Sequence, residues 1–407
     1  MKIAFFVHKF PPEFFGGTEQ VVLALAHAFK RFDDEVVVVT GSERHSDGGE
    51  VRKEEFDGIR VLRVLRDPTE LYGLDNGYPI TGTRISDLLA DEQPSAVHVH
   101  HWWTLGWDIL QRAAGLGIRG GATIHDLWLS CPRFFRRPPE GVRCPTLAER
   151  GPCLGCMRKD LPGAPDESIQ RAIERRDRAL RRELSVATFL AVPSESTKRL
   201  IARHVPWDRE LLVLPHGLLS DSLQRSRPRE HKGPLRVGSF GNLVPEKGLH
   251  LIVEALAGLG EATELRLSGH FPDGAYLERL KKRAKELEVT LVWTGSYTNA
   301  DRHPAHDIDL AVFPSLCQES YGLVVDEALS RGVPVIVSNR GALPERARGG
   351  GIVLRSGGVM PLHVALARLL RSNRELEKLR DEIPLQFRTI ETAARRYREL
   401  LLPAGVR

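Results

Sequence analysis

No stretch of the 407-residue chain approaches the roughly 20 consecutive apolar residues that a membrane-spanning helix needs. The N-terminal MKIAFFVHKF also lacks a charged region ahead of a long apolar core. A cytoplasmic chain is expected, with peripheral contact at the inner face of the cell membrane as an open alternative. Charge of one sign is gathered nowhere: 58 Lys and Arg are interleaved with 53 Asp and Glu, so the net charge of +5 forms no basic tail. No nucleic-acid partner is expected. Cysteine is scarce, at five residues, and four of them fall together. What is present is ordinary for a soluble protein: 42% hydrophobic and 27% charged residues, over a length that suits two or three domains with sizeable cores.

Short β-branched runs alternate with helical patterns in the N-terminal half: IAFFVH, VVLALAHAFK, EVVVVTG, IRVLRVL, ISDLLADEQ and AVHVH. That alternation predicts an α/β fold with a parallel sheet covered by helices. A polar stretch, SDSLQRSRPREHKGP, precedes a second series that starts at LRVGSFG and runs to GGIVL. Two Rossmann-like domains are expected, 1–216 and 217–385, facing across a cleft lined by strand-end loops. The helical segment 386–407, with no strand after it, is expected to pack back on the N-terminal domain.

The most informative segment is VFPSLCQESYGLVVDE, Val312 to Glu327. It reads as an apolar strand, a turn at Gly322 and a helix whose positive end suits a phosphate. Glu319 before the helix and Glu327 about two turns on are placed to accept hydrogen bonds from hydroxyls on either side of that phosphate, the layout of a nucleotide sugar. The spacing alone also fits two solvated carboxylates on a helix face. Upstream, LRVGSFGNLVPEKGLHLIVEAL gives a second strand, a loop with Gly241, and Lys247 at the mouth of a helix.

Taken in order, PPEFFGGTE, VHVHHWW, TIHD, VPSESTKRL, FGNLVPEKG, the E-x7-E segment and GVPVIVSNRGALPE resemble the retaining GT-B glycosyltransferases of family 4, over nearly the whole chain. The resemblance implies transfer of a sugar from a UDP- or GDP-linked donor to a glycan, lipid-linked or small-molecule acceptor, in cell-surface polysaccharide or glycolipid synthesis. It implies that Gly16 and Gly17 let the first loop approach the ligand, that His125 lies near the reacting sugar, and that Lys247 neutralises the leaving diphosphate. Glu319 is then expected to hold donor-sugar hydroxyls, Tyr321, Gly322, Leu323 and Val324 to lie along sugar and phosphate, and Glu327 to hold the ribose. Trp293 to Ser296, with Gly295, falls where family members grip the base. The chain departs from the pattern at Asn242, where the family usually has an arginine beside Gly241, so one of two cations expected at the diphosphate is missing. Arg340, Lys9 and Arg133 are candidates to replace it. The resemblance further implies same-face attack with the leaving phosphate accepting the acceptor's proton, and no catalytic metal. A weakened nucleotide-sugar-binding protein and a GT-B nucleotide-sugar epimerase are the competing readings.

Cys131, Cys144, Cys153 and Cys156 form C-x12-C-x8-C-x2-C within a Pro-, Gly- and Arg-rich insertion at about 131–165 that is expected to lack its own core. Four thiolates suit a structural zinc, or an iron–sulfur cluster; disulfides or free thiols are the remaining alternatives. The helix from Ser168 to Leu184 interleaves arginines with acids, which reads as a solvated salt-bridged face or, with Arg133, Arg136 and Arg137, as a surface resting on anionic lipid.

Overall fold

The computed structural model describes residues 1–70, 74, 77–134, 136, 144, 151–202, 210–219, 234–259, 263–297 and 302–402. The chain divides into two compact units, Met1–Leu219 with Thr389–Arg407, and Ser220–Arg388.

Near-continuous apolar runs become the strands of the first unit because parallel strands are buried on both faces. Among the described residues they are β1 (Lys2–Val7), β2 (Glu35–His45), β3 (Val51–Phe56), β4 (Ile59–Arg66), β5 (Ala96–Val99), β6 (Arg119–Thr123), β7 (Leu190–Val192) and β8 (Leu211–Val213). Their order is β3-β4-β2-β1-β5-β6-β7-β8. Only β3 runs antiparallel to its neighbour, and it reads half-exposed, as an edge strand should. The order reverses between β1 and β5, so the loops after those strands diverge and leave a crevice at their C-terminal ends. Gly16 and Gly17, His100 and His101 follow β1 and β5, and His125 follows β6.

The last helix, Ile390–Leu401, belongs to this first unit. It buries Ile390, Ala393, Ala394, Tyr397 and Leu401, and packs on the helix Gly17–Lys30. Each large apolar side chain so buried contributes roughly 1.5–3 kcal/mol. Arg398 reaches Asp34 at 2.6 Å and Arg31 reaches Glu391 at 2.8 Å, rim pairs that fix orientation more than stability.

The cysteine-rich insertion departs from expectation. Its helix Gly151–Asp160 places Cys153 and Met157 one turn apart, and both pack with Leu74, Ile169 and Ile173 into a small apolar core. The segment therefore has a core, borrowed from the helix Asp166–Ser185. That helix also turns Arg176 inward, where it stacks 4.3 Å over the Trp128 ring and donates to the Trp128 and Leu129 carbonyls. Two of its exposed arginines, Arg171 and Arg178, pair with Glu167 and Glu174 one turn earlier.

The second unit is parallel throughout: β9 (Leu235–Asn242), β10 (Thr263–His270), β11 (Leu291–Trp293), β12 (Leu310–Phe313), β13 (Val335–Ser338) and β14 (Gly351–Leu354), in the order β11-β10-β9-β12-β13-β14. Renumbered within the unit this is 3-2-1-4-5-6, the doubly wound dinucleotide-binding order, with its switch point between β9 and β12. Helices cover both faces, giving one core around Val237, Leu265 and Val312 and another around Phe240, Phe313 and Val335. Among the described residues, no helix is long and apolar enough to cross a membrane.

Candidate active site

At the switch point of the second unit the loops after β9 and β12 bring Lys247 and Glu319 together across 72 residues of sequence. Lys247 Nζ lies 2.7 and 2.9 Å from the two Glu319 oxygens. The Ser315 hydroxyl donates to the same carboxylate, and the Cys317 thiol lies 3.8 Å from it. Burial opposes charge on both partners, but each holds the other ionised: Glu319 is lowered below the usual carboxylate range and Lys247 is raised.

The backbone around Glu319 is clamped. Ala342 N–H donates to the Glu319 carbonyl at 2.8 Å, Gly341 N–H to Gln318 Oε1 at 2.7 Å, and Ser338 Oγ to the Ser315 carbonyl at 2.8 Å. Gly341 has φ of 59°, and a Cβ there would run into the Glu319 backbone. At Gly248, with φ of 73°, a Cβ would likewise collide with the Pro314 carbonyl, so the Lys247 turn passes close to the end of β12.

Gly322, at φ of 90°, caps the helix Leu323–Ser330 in a left-handed conformation. The first N–H groups of that helix, at Leu323 and Val324, have no acceptor inside it. Val324 packs toward Gly241, whose Cβ would lie 3.1 Å from the Val324 methyl. Glu327, on the same helix, stands 3.6 Å from His303 Nε2. His303 Nδ1 accepts from Ala305 N–H at 3.2 Å, so its proton is on Nε2, facing Glu327. Burial and the Glu327 charge together push Tyr297 above its ordinary range.

Two expected donor contacts take a different form. The Tyr321 side chain is 3% exposed and turned inward: its hydroxyl donates to Asp326 at 2.9 Å, and Arg346 pairs with Asp326 and covers the ring. Only its backbone is left to lie along a ligand. Trp293 is half-exposed on the edge strand, with Nε1 donating to the Gly269 carbonyl at 3.2 Å. Gly295 accepts from Gly269 N–H at 2.8 Å, fixing the turn that follows. Asn242 is exposed at the end of β9, and Arg340 is exposed beside the turn that grips Glu319.

In the first unit, His8, His98, His100, His101, His125 and His216 are all buried at the C-terminal ends of the strands. His100 Nδ1 is 2.8 Å from His125 Nε2, and His216 stacks on His125 with ring centres 4.9 Å apart. Burial, then neighbouring imidazoles, lowers His8, His98, His100 and His125 well below the ordinary histidine range. Glu19 lies 3.3 Å from His8 Nε2, and burial pushes its carboxyl up to about 8. Gly16 has its own packing reason: a Cβ there would collide with the Glu19 carboxylate and come within 2.7 Å of Phe14. Gly17 opens the helix behind it.

No disulfide joins the four cysteines. They are close enough for each to raise the Cys144 thiol, which burial foremost lifts to about 11, yet among the described residues no three His, Cys, Asp or Glu side chains are arranged to hold a metal. The donor set suits zinc in number and kind, and Cys153, which packs in the apolar core, also acts on the Cys144 and Cys156 thiols.

Sequence reasoning singled out Lys247, Glu319 and Glu327; the structure brings Lys247 and Glu319 into contact and adds Ser315, Gln318, Gly341 and His303 around them, which sequence reasoning did not name. The signal for Gly341 was present in SNRGALPE; for the others, no local pattern distinguishes a contact made across the sheet.

Two parallel α/β units, the second with the doubly wound order and a Lys–Glu pair at its switch point, define the GT-B architecture of glycosyltransferases. Anabaena HepE, solved in complex with UDP, has this fold, with a TM-score of 0.68 at 15% identity, covering 98% of this chain and 99% of that one. The profile described as Glycosyltransferase Family 4 matches residues 15–218, and that described as Glycosyl transferases group 1 matches 221–384. Glycogen synthase of Mycobacterium tuberculosis is 25% identical over 367 residues, spanning 85% of this chain and 80% of the relative. The GDP-mannose-dependent alpha-(1-6)-phosphatidylinositol monomannoside mannosyltransferase of Mycolicibacterium smegmatis is 31% identical over 220 residues, 48% of this chain and 56% of the relative. The chain belongs to Glycosyltransferase Family 4 and is a glycosyltransferase.

Proposed function

We propose that the protein transfers a sugar with retention from a nucleoside-diphosphate donor, and that the Lys247–Glu319 pair is where that donor binds. The observation that carries this is their direct contact at the β9/β12 switch point, beside the Gly322-capped helix. In this reading the donor diphosphate takes over Lys247 and the N–H groups at Leu323 and Val324, while the sugar hydroxyls take over Glu319. Glu327, with His303 beside it, receives the ribose, and the Trp293 to Ser296 turn receives the base. As the leaving phosphate gains negative charge, the Lys247 ammonium stabilises it more than in the ground state. The acceptor hydroxyl then attacks from the face the phosphate leaves, and the phosphate oxygen takes its proton.

Both nucleotides have support among similar proteins, UDP in HepE and GDP-mannose in the mycobacterial mannosyltransferase, whose acceptor is a phosphatidylinositol glycolipid. A lipid-linked or glycan acceptor in cell-surface synthesis follows as the favoured class. The exposed arginines of the helix Asp166–Ser185 are then candidates to rest on anionic lipid, and co-sedimentation with anionic vesicles but not neutral ones checks this. Product analysis with UDP- and GDP-sugars tests the main reading. Free nucleotide plus a glycoside of unchanged anomeric configuration supports it; a new nucleotide sugar indicates an epimerase, and donor binding without turnover indicates a binding protein.

A further inference from the structure

His303 carries a buried N–H that faces Glu327, and every group around it belongs to the second unit. Three contacts aim the ring. Its Nδ1 caps the short turn Pro304–Asp307 by accepting from Ala305 N–H at 3.2 Å, and Phe240 and Tyr297 stand against it at 88° and 74°, with ring centres 4.9 and 5.4 Å away. With Nδ1 used as an acceptor, the neutral ring holds its proton on Nε2. That nitrogen is buried, has no hydrogen-bond partner among the described residues, and lies 3.6 Å from Glu327 Oε2.

A separation of 3.6 Å is longer than a hydrogen bond, and a buried N–H left unmet is costly. The ring cannot close the gap without breaking its cap. Glu327 can, because its carboxylate is partly exposed at the end of a rotatable side chain, and contacts of this kind often tighten only when a ligand is bound. Arg331, which closes the same helix, turns Nη1 to the Glu327 carbonyl at 3.0 Å rather than to its carboxylate. A carboxylate held at one oxygen keeps the other for ribose hydroxyls; unheld, it must lose rotamer freedom when the nucleotide binds.

We propose that His303 is a positioning residue: anchored through Nδ1 to the turn it caps, it donates Nε2–H to the Glu327 carboxylate and holds that group in place for the ribose hydroxyls. This rests on the reading of Glu327 as the group that receives the ribose. No ligand has to reach the buried ring, since His303 acts through Glu327.

Calorimetry on the full chain compares UDP and GDP with their 2′,3′-dideoxy forms, using whichever base the wild type binds. The wild type is expected to prefer the ribose form about tenfold or more. Two substitutions separate the roles of the ring nitrogens. His303→Asn places an acceptor near Nδ1 and keeps the Ala305 cap but is too short to reach Glu327, so the two forms are expected to bind within about twofold of each other. His303→Gln carries an amide N–H to the place of Nε2 and is expected to keep most of the preference. A residue that only capped the turn would give the reverse order. Full preference in folded His303→Asn, or a loss in folded His303→Gln as large as in Glu327→Ala, overturns the proposal, and either variant decides alone if the other does not fold. Glu327→Ala tells the two failures apart. If it loses the preference while His303→Asn keeps it, only the positioning role falls. If it keeps the preference, or if the wild type shows none or binds neither nucleotide, the ribose reading falls and the proposal with it.

Discussion

The Lys247 ammonium neutralises Glu319. In the proposed reading the donor diphosphate draws on the same charge, and the sugar hydroxyls replace it at the carboxylate. Lys247→Ala and Glu319→Ala are each expected to lower kcat/KM by roughly 10²–10³ while leaving the circular-dichroism spectrum native. Near-normal nucleotide release from both variants would mean the site lies elsewhere. Asn242 provides the complementary test. An arginine there adds the charge-assisted bonds that an exposed asparagine lacks, so Asn242→Arg is expected to tighten UDP or GDP binding about tenfold in low salt by calorimetry. Unchanged affinity would assign the second cation to Arg340 or another group. Lys247, Glu319 and Glu327 could be singled out in sequence because they fall in the FGNLVPEKG and E-x7-E motifs of the family; their spacing alone would not have separated them from solvated surface charges. Tyr321 was misjudged in part, since nothing local reveals that Asp326 and Arg346 hold its ring inside.

At the scale of elements, the helix Gly151–Asp160 shows how one residue type can take two roles. Cys153 and Cys156 are one turn apart, but Cys153 packs with Met157, Ile169 and Ile173 while Cys156 is half-buried. We propose that all four cysteines bind a structural zinc. Protein purified without chelator is then expected to hold about one zinc per chain, lost in Cys156→Ser, and zinc uptake is expected to release protons, because the raised Cys144 and Cys156 thiols must ionise. Elemental analysis finding neither zinc nor iron ends that reading. The alternating arginines of the next helix read in sequence as a solvated salt-bridged face or a surface resting on anionic lipid; Arg176 fits neither, because it stacks over the Trp128 ring and donates to two carbonyls.

Over the whole first unit, buried titratable groups pull stability in opposite directions. His8, His98, His100 and His125 are kept neutral below their ordinary value of 6.5, so the unfolded chain binds more protons there and acid destabilises. Glu19 and Glu183, raised by burial to about 8 and about 7, hold protons that the unfolded chain releases above 4.5, so they lose stability as pH rises toward those values. Below about pH 6.5 the histidines outnumber the carboxyls; above it only the carboxyls titrate. Unfolding free energy is therefore expected to peak near pH 6.5–7 and fall more steeply on the acid side, by about 1.4 kcal/mol per pH unit for each net proton. Denaturant titrations at pH 5.5, 6.7 and 8 check this, and a steady rise to pH 8 would show that Glu19 and Glu183 are ionised.

The sequence by itself determined the α/β class, the two-unit organisation, the family motifs and the identity of the ionic groups, since period, glycine placement and charge are local properties. The tertiary structure decided which groups meet. Lys247 and Glu319 pair because strand order places β9 beside β12. His100 meets His125 because β5 neighbours β6, and Gly341 clamps Glu319 because β13 neighbours β12. Side chains far apart in sequence are brought into contact by sheet order, and sheet order is set by burial summed over the whole unit, which no single segment encodes.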